Sequence, residues 1–240
     1  MPKVSVVVPT FNERENIEPL VTRLDAAMGA AGLAGDYELI IVDDDSPDGT
    51  AEVVRELIST GKYPIRLLTG SRKDGLGSAY RRGFREAKGD IIFEMDADLS
   101  HDPLYIKDFI HAIEKGGQMV VGSRYIKGGK VPDWSFHRRL ISKGGNLFAR
   151  FWLGLSPKDV TSGYKAYKRE CIDLVLDTKC EGYVFQIETQ YLAKIRNVKV
   201  VEVPIVFLDR KRGKSKLGTK EIIAFWKAVF SMKKRWKGCN

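Results

Sequence analysis

Asp96 and Asp98 stand one small residue apart at the end of the apolar run "DIIFEMDAD" (90–98). Left to themselves two such carboxylates repel and one holds a proton, whereas a hard divalent cation with oxygen ligands neutralises both. Strand alternation predicts that they leave the run on one side, with Ala97 between them. Asp102 differs, because Pro103 and a helical pattern follow it, the arrangement of an N-cap with proline at the first helical position. Glu94 has no assigned role, and His101, beside that cap, is expected to be structural rather than a base. A second acidic cluster, "VDDDSPDGT" (42–50), divides the same way. Asp45, Ser46 and Asp48 fit turn and cap chemistry, while Asp43 and Asp44 sit where a carboxylate can accept from a base or a ribose. In "PTFNERENI" (9–17), Pro9, Phe11 and Glu13 can line the same rim, or Asn12 and Glu13 can start a helix.

These residues need a scaffold that brings strand ends together. Runs rich in β-branched residues at 4–9, 37–43, 65–70, 90–97 and 118–123 read as strands, and helical patterns lie near 15–31, 50–60, 77–88 and 103–115. That order predicts an α/β fold with a mostly parallel sheet covered on both faces. Ligands of such sheets bind outside the carboxyl ends of the strands, where the acids lie. Helices are also expected over 135–153 and 183–196, and a strand over 199–208 whose Pro204 suggests an edge or a bulge. "DRKRGKSKLGTK" (209–220) reads as a glycine-punctuated loop. The last helix, over 219–236, places Ile222, Phe225, Trp226, Val229 and Phe230 on one face.

Composition narrows the function. The 240 residues carry a net charge of +9, and the eleven Lys and Arg against two acids from Asp209 to Asn240 account for all of it. A local polyanion, such as phosphate groups or an anionic membrane face, suits that segment better than a surface-wide field does. Three cysteines, Cys171, Cys180 and Cys239, show no C-x-x-C spacing, so neither a disulfide framework nor a zinc site is expected. No export signal is expected from the opening residues, and no apolar run approaches the ~20 residues of a membrane-spanning helix. "DGLGSAYRRG" (74–83) fails the dinucleotide fingerprint, since Tyr80 occupies the third glycine position. A tight turn with close backbone approach into a helix is the better reading.

Taken in order, "VVVPTFNERENI", "IIVDDDSPDGT", "GLGSAY", "MDADLSHDP", "VGSRY", "DVTSGYKAYKR", "GYVFQIE" and "EVPIVFLDRKRGKSKLG" resemble the dolichyl-phosphate mannose synthases of glycosyltransferase family 2 over about residues 4 to 219. The forms without an attached transmembrane domain are the most similar. The resemblance implies a GT-A nucleotide-sugar-binding fold and inverting transfer of mannose from GDP-mannose to dolichyl or another polyprenyl phosphate. It also implies that Pro9, Phe11, Glu13, Val42 and Asp44 contact the nucleotide. Asp96, Ala97 and Asp98 would meet the diphosphate through Mg²⁺ or Mn²⁺, with Ser100 as a third metal ligand. Arg124, Arg210 and Lys216 would contact phosphates, and Asp98, Arg124, Arg210 and Lys216 would form the catalytic set. Three positions depart from the family pattern. Phe11 replaces a common tyrosine, Asp45 stands where glycine is frequent, and Lys165 replaces an arginine, losing bidentate phosphate geometry.

A lipid phosphate is already ionised near neutral pH and can attack the sugar carbon without a general base. A hydroxyl acceptor would need one, and Asp159 and Glu188 are the candidates. The alternatives are therefore a related transferase using another nucleotide sugar, such as UDP-glucose, or a hydroxyl acceptor, and a non-catalytic membrane or nucleic-acid binding module built on the basic tail. The expected partners are GDP-mannose, a polyprenyl phosphate and a membrane surface, with a small hydrophobic anchor subunit as a further implication of the resemblance and no nucleic acid. The expected division is a GT-A-like catalytic domain over 1–218 and a basic amphipathic helix over 219–240. Together they place the chain peripherally on the cytoplasmic side of a membrane, endoplasmic reticulum or plasma membrane according to the cell.

Overall fold

Every other residue of β1 (Val4–Thr10) faces the same side of the sheet, and both sides are apolar: Val4, Val6 and Val8 enter one buried cluster and Val7 another. The computed structural model describes residues 3–71, 74–209 and 219–237, with side chains from 225 onward in the last segment. After β1 come α1 (Arg14–Ala30), β2 (Tyr37–Asp43), α2 (Thr50–Ser59), β3 (Ile65–Thr69), α3 (Leu76–Glu86) and β4 (Ile91–Glu94). A 3-10 turn (Pro103–Tyr105) leads into α4 (Ile106–Glu114) and β5 (Met119–Ser123). The remainder is α5 (Phe136–Leu153), β6 (Lys165–Lys168), α6 (Asp173–Leu176), α7 (Tyr183–Ile195), β7 (Val200–Pro204) and α8 (Thr219–Arg235).

The seven strands are ordered β3-β2-β1-β4-β6-β5-β7. All pairings are parallel except the two made by β6, which runs antiparallel to both β4 and β5. From β1 the chain goes first to β2 on one side and later to β4 on the other, so the sheet reverses direction beside β1. Crevices at such reversals are where sheets of this kind bind ligands. One face is covered by α1 and α4, the other by α3, α6 and α7, and a third buried cluster joins α5, α7 and α8 through Ala149, Leu153, Ile187, Val229 and Met232.

Strand ends differ from expectation where function interrupts pattern. β4 stops at Glu94 rather than continuing to Ala97, so the acids lie in the loop beyond it. β7 is an edge strand and ends on Pro204, as the missing N–H requires. Sequence periodicity did not reveal β6, whose "KAYK" buries its first lysine completely.

Candidate active site

At the carboxyl end of β2, Asp43 is consumed by the fold. Its carboxylate accepts from Thr10 Oγ1 at 2.8 Å, Ser46 N at 3.0 Å and Ser46 Oγ at 2.6 Å. The rest of the acidic loop caps two helices. Ser46 Oγ accepts from Asn12 N, Thr50 Oγ1 from Glu13 N, and Asp48 from both Arg14 N and Thr50 N. The expected turn and cap roles of Ser46 and Asp48 are met, with one addition: the loop caps the start of α1 as well as α2. Asp43 is thus excluded as an acceptor for a ligand, and Asp44 is left. Its buried carboxylate takes a guanidinium N–H from Arg82 on α3. Burial raises its pKa, while Arg82 and the backbone N–H of Asp74 work in the opposite direction. Pro9, near the end of β1 and in register with Val42, is half-buried, as is Phe11 one residue past the strand. Glu13 accepts from Asn16 Nδ2 at 2.6 Å.

Three non-glycine residues at these strand ends hold positive φ: Asn12 (60°), Asp45 (57°) and Leu99 (63°). The left-handed region is costly for side chains with a Cβ, least so for Asn and Asp. Glycine would meet this backbone without strain, and Asp45 is among the side chains that tolerate it best. Leu99 is the strained one, and it makes the turn between Asp98 and Ser100.

That turn folds Ser100 back onto Asp98, and the acids lie in this loop rather than on the strand. Asp98 is buried and accepts from Ser100 N at 3.1 Å, and Asp96 is partly exposed with Tyr80 Oη 3.4 Å away. Ser100 Oγ is buried without a hydrogen-bond partner. An orphaned hydroxyl beside two carboxylates fits a hard divalent cation, which takes oxygen ligands. Among the described residues no three His, Cys, Asp or Glu side chains gather around one point. Asp96, Asp98 and Ser100 would therefore hold only part of an Mg²⁺ or Mn²⁺ shell and leave the remainder to water and ligand oxygens, the usual condition of a metal that meets a diphosphate.

His101 is not a base. Its Nδ1 accepts from Asp96 N at 3.2 Å, its ring stacks on Tyr164 at 5.0 Å, and burial pulls its pKa down to about 4. With Nδ1 accepting a proton from the backbone, the 3.8 Å approach to Asp96 Oδ2 is not an ion pair. Gly163, which the motif "TSGYK" had not singled out, shapes the same corner. A Cβ there would lie 3.3 Å from Asp96 Oδ2 and 3.2 Å from Gln186 Nε2. Asp102 caps the following turn through Leu104 N, with Pro103 at its start.

Arg124, expected to bind phosphate directly, is buried and held by Asp159. Nε and Nη2 meet the two carboxylate oxygens at 2.7 Å each, Arg124 N adds a third bond at 3.0 Å, and Nη2 also reaches Thr161 Oγ1. Burial works against its charge, but Asp159 outweighs it, and Asp96 contributes to the same end. Nη1 takes part in none of these bonds. Arg124 lines a cavity of about 660 Å³ whose wall also carries Lys130, Arg139, Lys143, Arg150 and Lys158 and, among the described residues, no acid. The arginine thus borders a cavity whose described charged side chains are all cations, while Asp96 lies near enough to favour its charge. Arg210 and Lys216 lie outside the described residues, as does most of their loop.

Lys165 is a correction. It is fully buried, bonded to Gln186 and 3.3 Å from Glu94, which also accepts from Tyr167 Oη at 2.8 Å. Burial lowers the lysine's pKa and raises that of Glu94, each opposed by the other. Its ammonium is committed to Glu94 and Gln186 within the core, with Asp96 near enough to favour its charge. Asp159 and Glu188, the candidate bases, are equally committed. Glu188, with no exposed surface, accepts from Lys179 N and Cys180 N at 2.7 Å and from Trp236 Nε1 at 2.9 Å. The predicted glycine turn is present, with Gly75 at φ 99° and Gly77 so close to Cys180 O that a Cβ would lie 2.6 Å away.

Beside the basic cavity, α5 turns Phe136, Leu140, Leu147 and Phe151 outward, the last 86% exposed. On α8 the expected apolar stripe is split. Val229 and Met232 are buried, Trp226 and Phe230 remain 39% and 48% exposed, and Ile222 lies outside the described side chains. Among the described residues no helix is long and apolar enough to cross a membrane.

The sequence model of glycosyl transferase family 2 matches residues 5–175. A dolichol-phosphate mannosyltransferase of Pyrococcus furiosus is 44% identical over 98% of this chain, which spans 65% of that protein's length. A polyprenol monophosphomannose synthase of Mycolicibacterium smegmatis is 38% identical over 90% of this chain and 82% of its own. Among solved structures, glucosyl-3-phosphoglycerate synthase of Mycobacterium tuberculosis with Mn²⁺, UDP-glucose and glycerol 3-phosphate superposes with a TM-score of 0.68 at 21% identity, over 98% of this chain and 80% of that one. A mannosyltransferase of Pyrobaculum calidifontis with GDP-mannose and Mn²⁺ gives 0.60 at 18%, over 96% and 62%. These folds are GT-A glycosyltransferases, as the resemblance implied. The chain belongs to glycosyl transferase family 2.

Proposed function

We propose that this chain transfers mannose from GDP-mannose to a polyprenyl phosphate, with inversion at the sugar carbon. Its relatives' names supply mannose and the polyprenyl phosphate, a mannosyltransferase of the same fold supplies GDP-mannose, and the observation that carries the reading is the cation-lined cavity at Arg124, with no acid among the described residues and Asp96 acting on the same arginine. An acceptor that is already an anion suits a site with cations and no available base. Both carboxylates that could have served a hydroxyl acceptor, Asp159 and Glu188, are saturated by donors.

Pro9, Phe11, Glu13, Val42 and Asp44 receive the nucleotide at the β1–β2 rim. Asp96, Asp98 and Ser100 hold the divalent ion, Mg²⁺ or Mn²⁺, which when bound supplies a Lewis acid for the departing diphosphate. Lys143, Arg139 and Lys130 orient the acceptor phosphate, one of whose oxygens forms the new bond to the sugar carbon as the bond to the diphosphate breaks. GDP leaves with the bonding pair, and no proton needs to be removed because the attacking phosphate is ionised. Arg124, held by Asp159, fixes positive charge between donor and acceptor, where negative charge moves. Arg210 and Lys216 are assigned to the same phosphates by resemblance. The exposed apolar side chains of α5, with Trp226 and Phe230, face the bilayer in which the lipid is anchored, so the chain sits peripherally on the membrane.

Incubation with GDP-mannose, Mg²⁺ or Mn²⁺ and a short-chain polyprenyl phosphate, with products read by mass, tests this. A mannosyl phospholipid is expected. Hydrolysis of GDP-mannose alone, or transfer only to polyprenols lacking phosphate, would overturn it.

A further inference from the structure

Arg82 belongs to none of the roles assigned so far, and its setting is unusual. It extends from α3 to the β2 end, where Nη2 donates to Asp44. Nη1 occupies the space beside Gly70 so closely that a Cβ there would lie 2.5 Å away. The Nε–H is buried with no hydrogen-bond partner among the described residues. A guanidinium placed only to tie loops together would not forgo that bond, since an unsatisfied buried donor is costly. What Arg82 gains in return is the ion pair with Asp44, whose carboxylate is otherwise supported by the backbone N–H of Asp74 and opposed by the Asp74 carboxylate.

We infer that Arg82 is a positioning residue for donor-base specificity, fixing the Asp44 carboxylate as an ionised acceptor for the hydrogen-bonding edge of guanine. The inference rests on the proposed placement of the nucleotide at the β1–β2 rim. Guanine presents two adjacent donors, N1–H and the 2-amino group, which match the two oxygens of a carboxylate. Uracil presents one N–H between two carbonyl oxygens, so an immobile anion meets one donor and faces two acceptors. A carboxylate free to turn or to take a proton would discriminate less. With Arg82 in place Asp44 has little freedom to turn, and the ion pair opposes the rise in pKa that burial imposes, so the base pocket favours guanine.

Titration calorimetry with GDP and with UDP, in saturating Mg²⁺, on wild type, Arg82→Lys, Arg82→Ala and Asp44→Asn tests the inference, with melting temperatures confirming the fold. Arg82→Ala should weaken GDP about ten- to hundredfold, the range for a charge-assisted bond, and UDP by less than about threefold. Arg82→Lys, which keeps the charge without the planar fork, should recover part of the GDP preference. Turnover of Arg82→Ala at saturating GDP-mannose should stay within about twofold of wild type, because the effect belongs to KM. Equal weakening of GDP and UDP would make Arg82 scaffold, and tighter GDP binding in Arg82→Ala would make it a competitor for Asp44. Either overturns the inference. If Asp44→Asn loses the preference while Arg82→Ala and Arg82→Lys keep it, only the role of Arg82 fails. If Asp44→Asn binds GDP as wild type does, the nucleotide placement itself is wrong.

Discussion

At the β1–β2 rim nearly every polar side chain is already bonded to another part of the chain, whereas the face made by α5 and α8 leaves apolar side chains and cations toward solvent. Asp43, Ser46, Asp48 and Thr50 serve five backbone N–H groups from Asn12 to Thr50 as well as one another, and Asn12 and Asp45 hold their positive φ values within that frame. Strain of this kind persists only where the surroundings over-determine it. On α5, Phe136, Leu140, Leu147 and Phe151 are exposed, and six cations line a cavity with no acid among the described residues. A small polar donor and its metal are served by a rigid, prebuilt end. A long lipid that stays in its bilayer is served by a surface that leaves its binding energy unspent until the membrane arrives.

The comparison can be broken at the rigid end first. Lys165→Met strands Glu94 as an unpaired buried charge, and urea unfolding should show a loss of about 3–5 kcal/mol; a change below about 1 kcal/mol would mean that water or another cation satisfies Glu94. Asp98→Asn should leave the urea midpoint near wild type but lower transfer by about a hundredfold or more, as expected when transition-state charge stabilisation is lost. Chelation of wild type should reproduce that defect, and full activity in either case would remove the metal from the account. On the other face, Leu147→Glu with Phe151→Glu should weaken sedimentation with anionic liposomes about tenfold or more, each apolar side chain contributing on the order of 1.5–3 kcal/mol when buried. This substitution is a better test than deleting α8, whose Val229, Met232 and Trp236 belong to the packed body. The smallest effect is at Asp45: glycine should shift stability by less than about 1 kcal/mol, while valine at the same left-handed position should cost about 1–2 kcal/mol. Equal melting temperatures for the two variants would show that the β2 rim is not rigid.

The parallel sheet was legible because its strands are apolar on both faces, a local signal, and the acids were legible because they close such a strand. What escaped was set by contacts distant in sequence. Lys165 read as a replacement for an arginine with poorer phosphate geometry, because nothing in "KAYK" reveals that Glu94, 71 residues earlier, lies opposite it. Arg124 was singled out but its commitment to Asp159, 35 residues later, was not. Asp43 and Asp44 looked equivalent side by side, yet one faces Thr10 and Ser46 and the other Arg82. The apolar stripe of α8 was visible as periodicity, but periodicity does not say whether protein or lipid covers it. Arg210 and Lys216 lie outside the described residues and keep the standing that resemblance gives them.

Separate service of donor and acceptor is the central claim, and the double variant Arg139→Glu/Lys143→Glu tests it most directly. KM for a short-chain polyprenyl phosphate and Kd for GDP would be measured on the same preparation. The account predicts an acceptor KM raised about tenfold or more, the effect of replacing two phosphate-facing cations by anions, with the GDP Kd changed by less than about twofold. An unchanged acceptor KM, or a GDP affinity that falls in step with it, would contradict the claim.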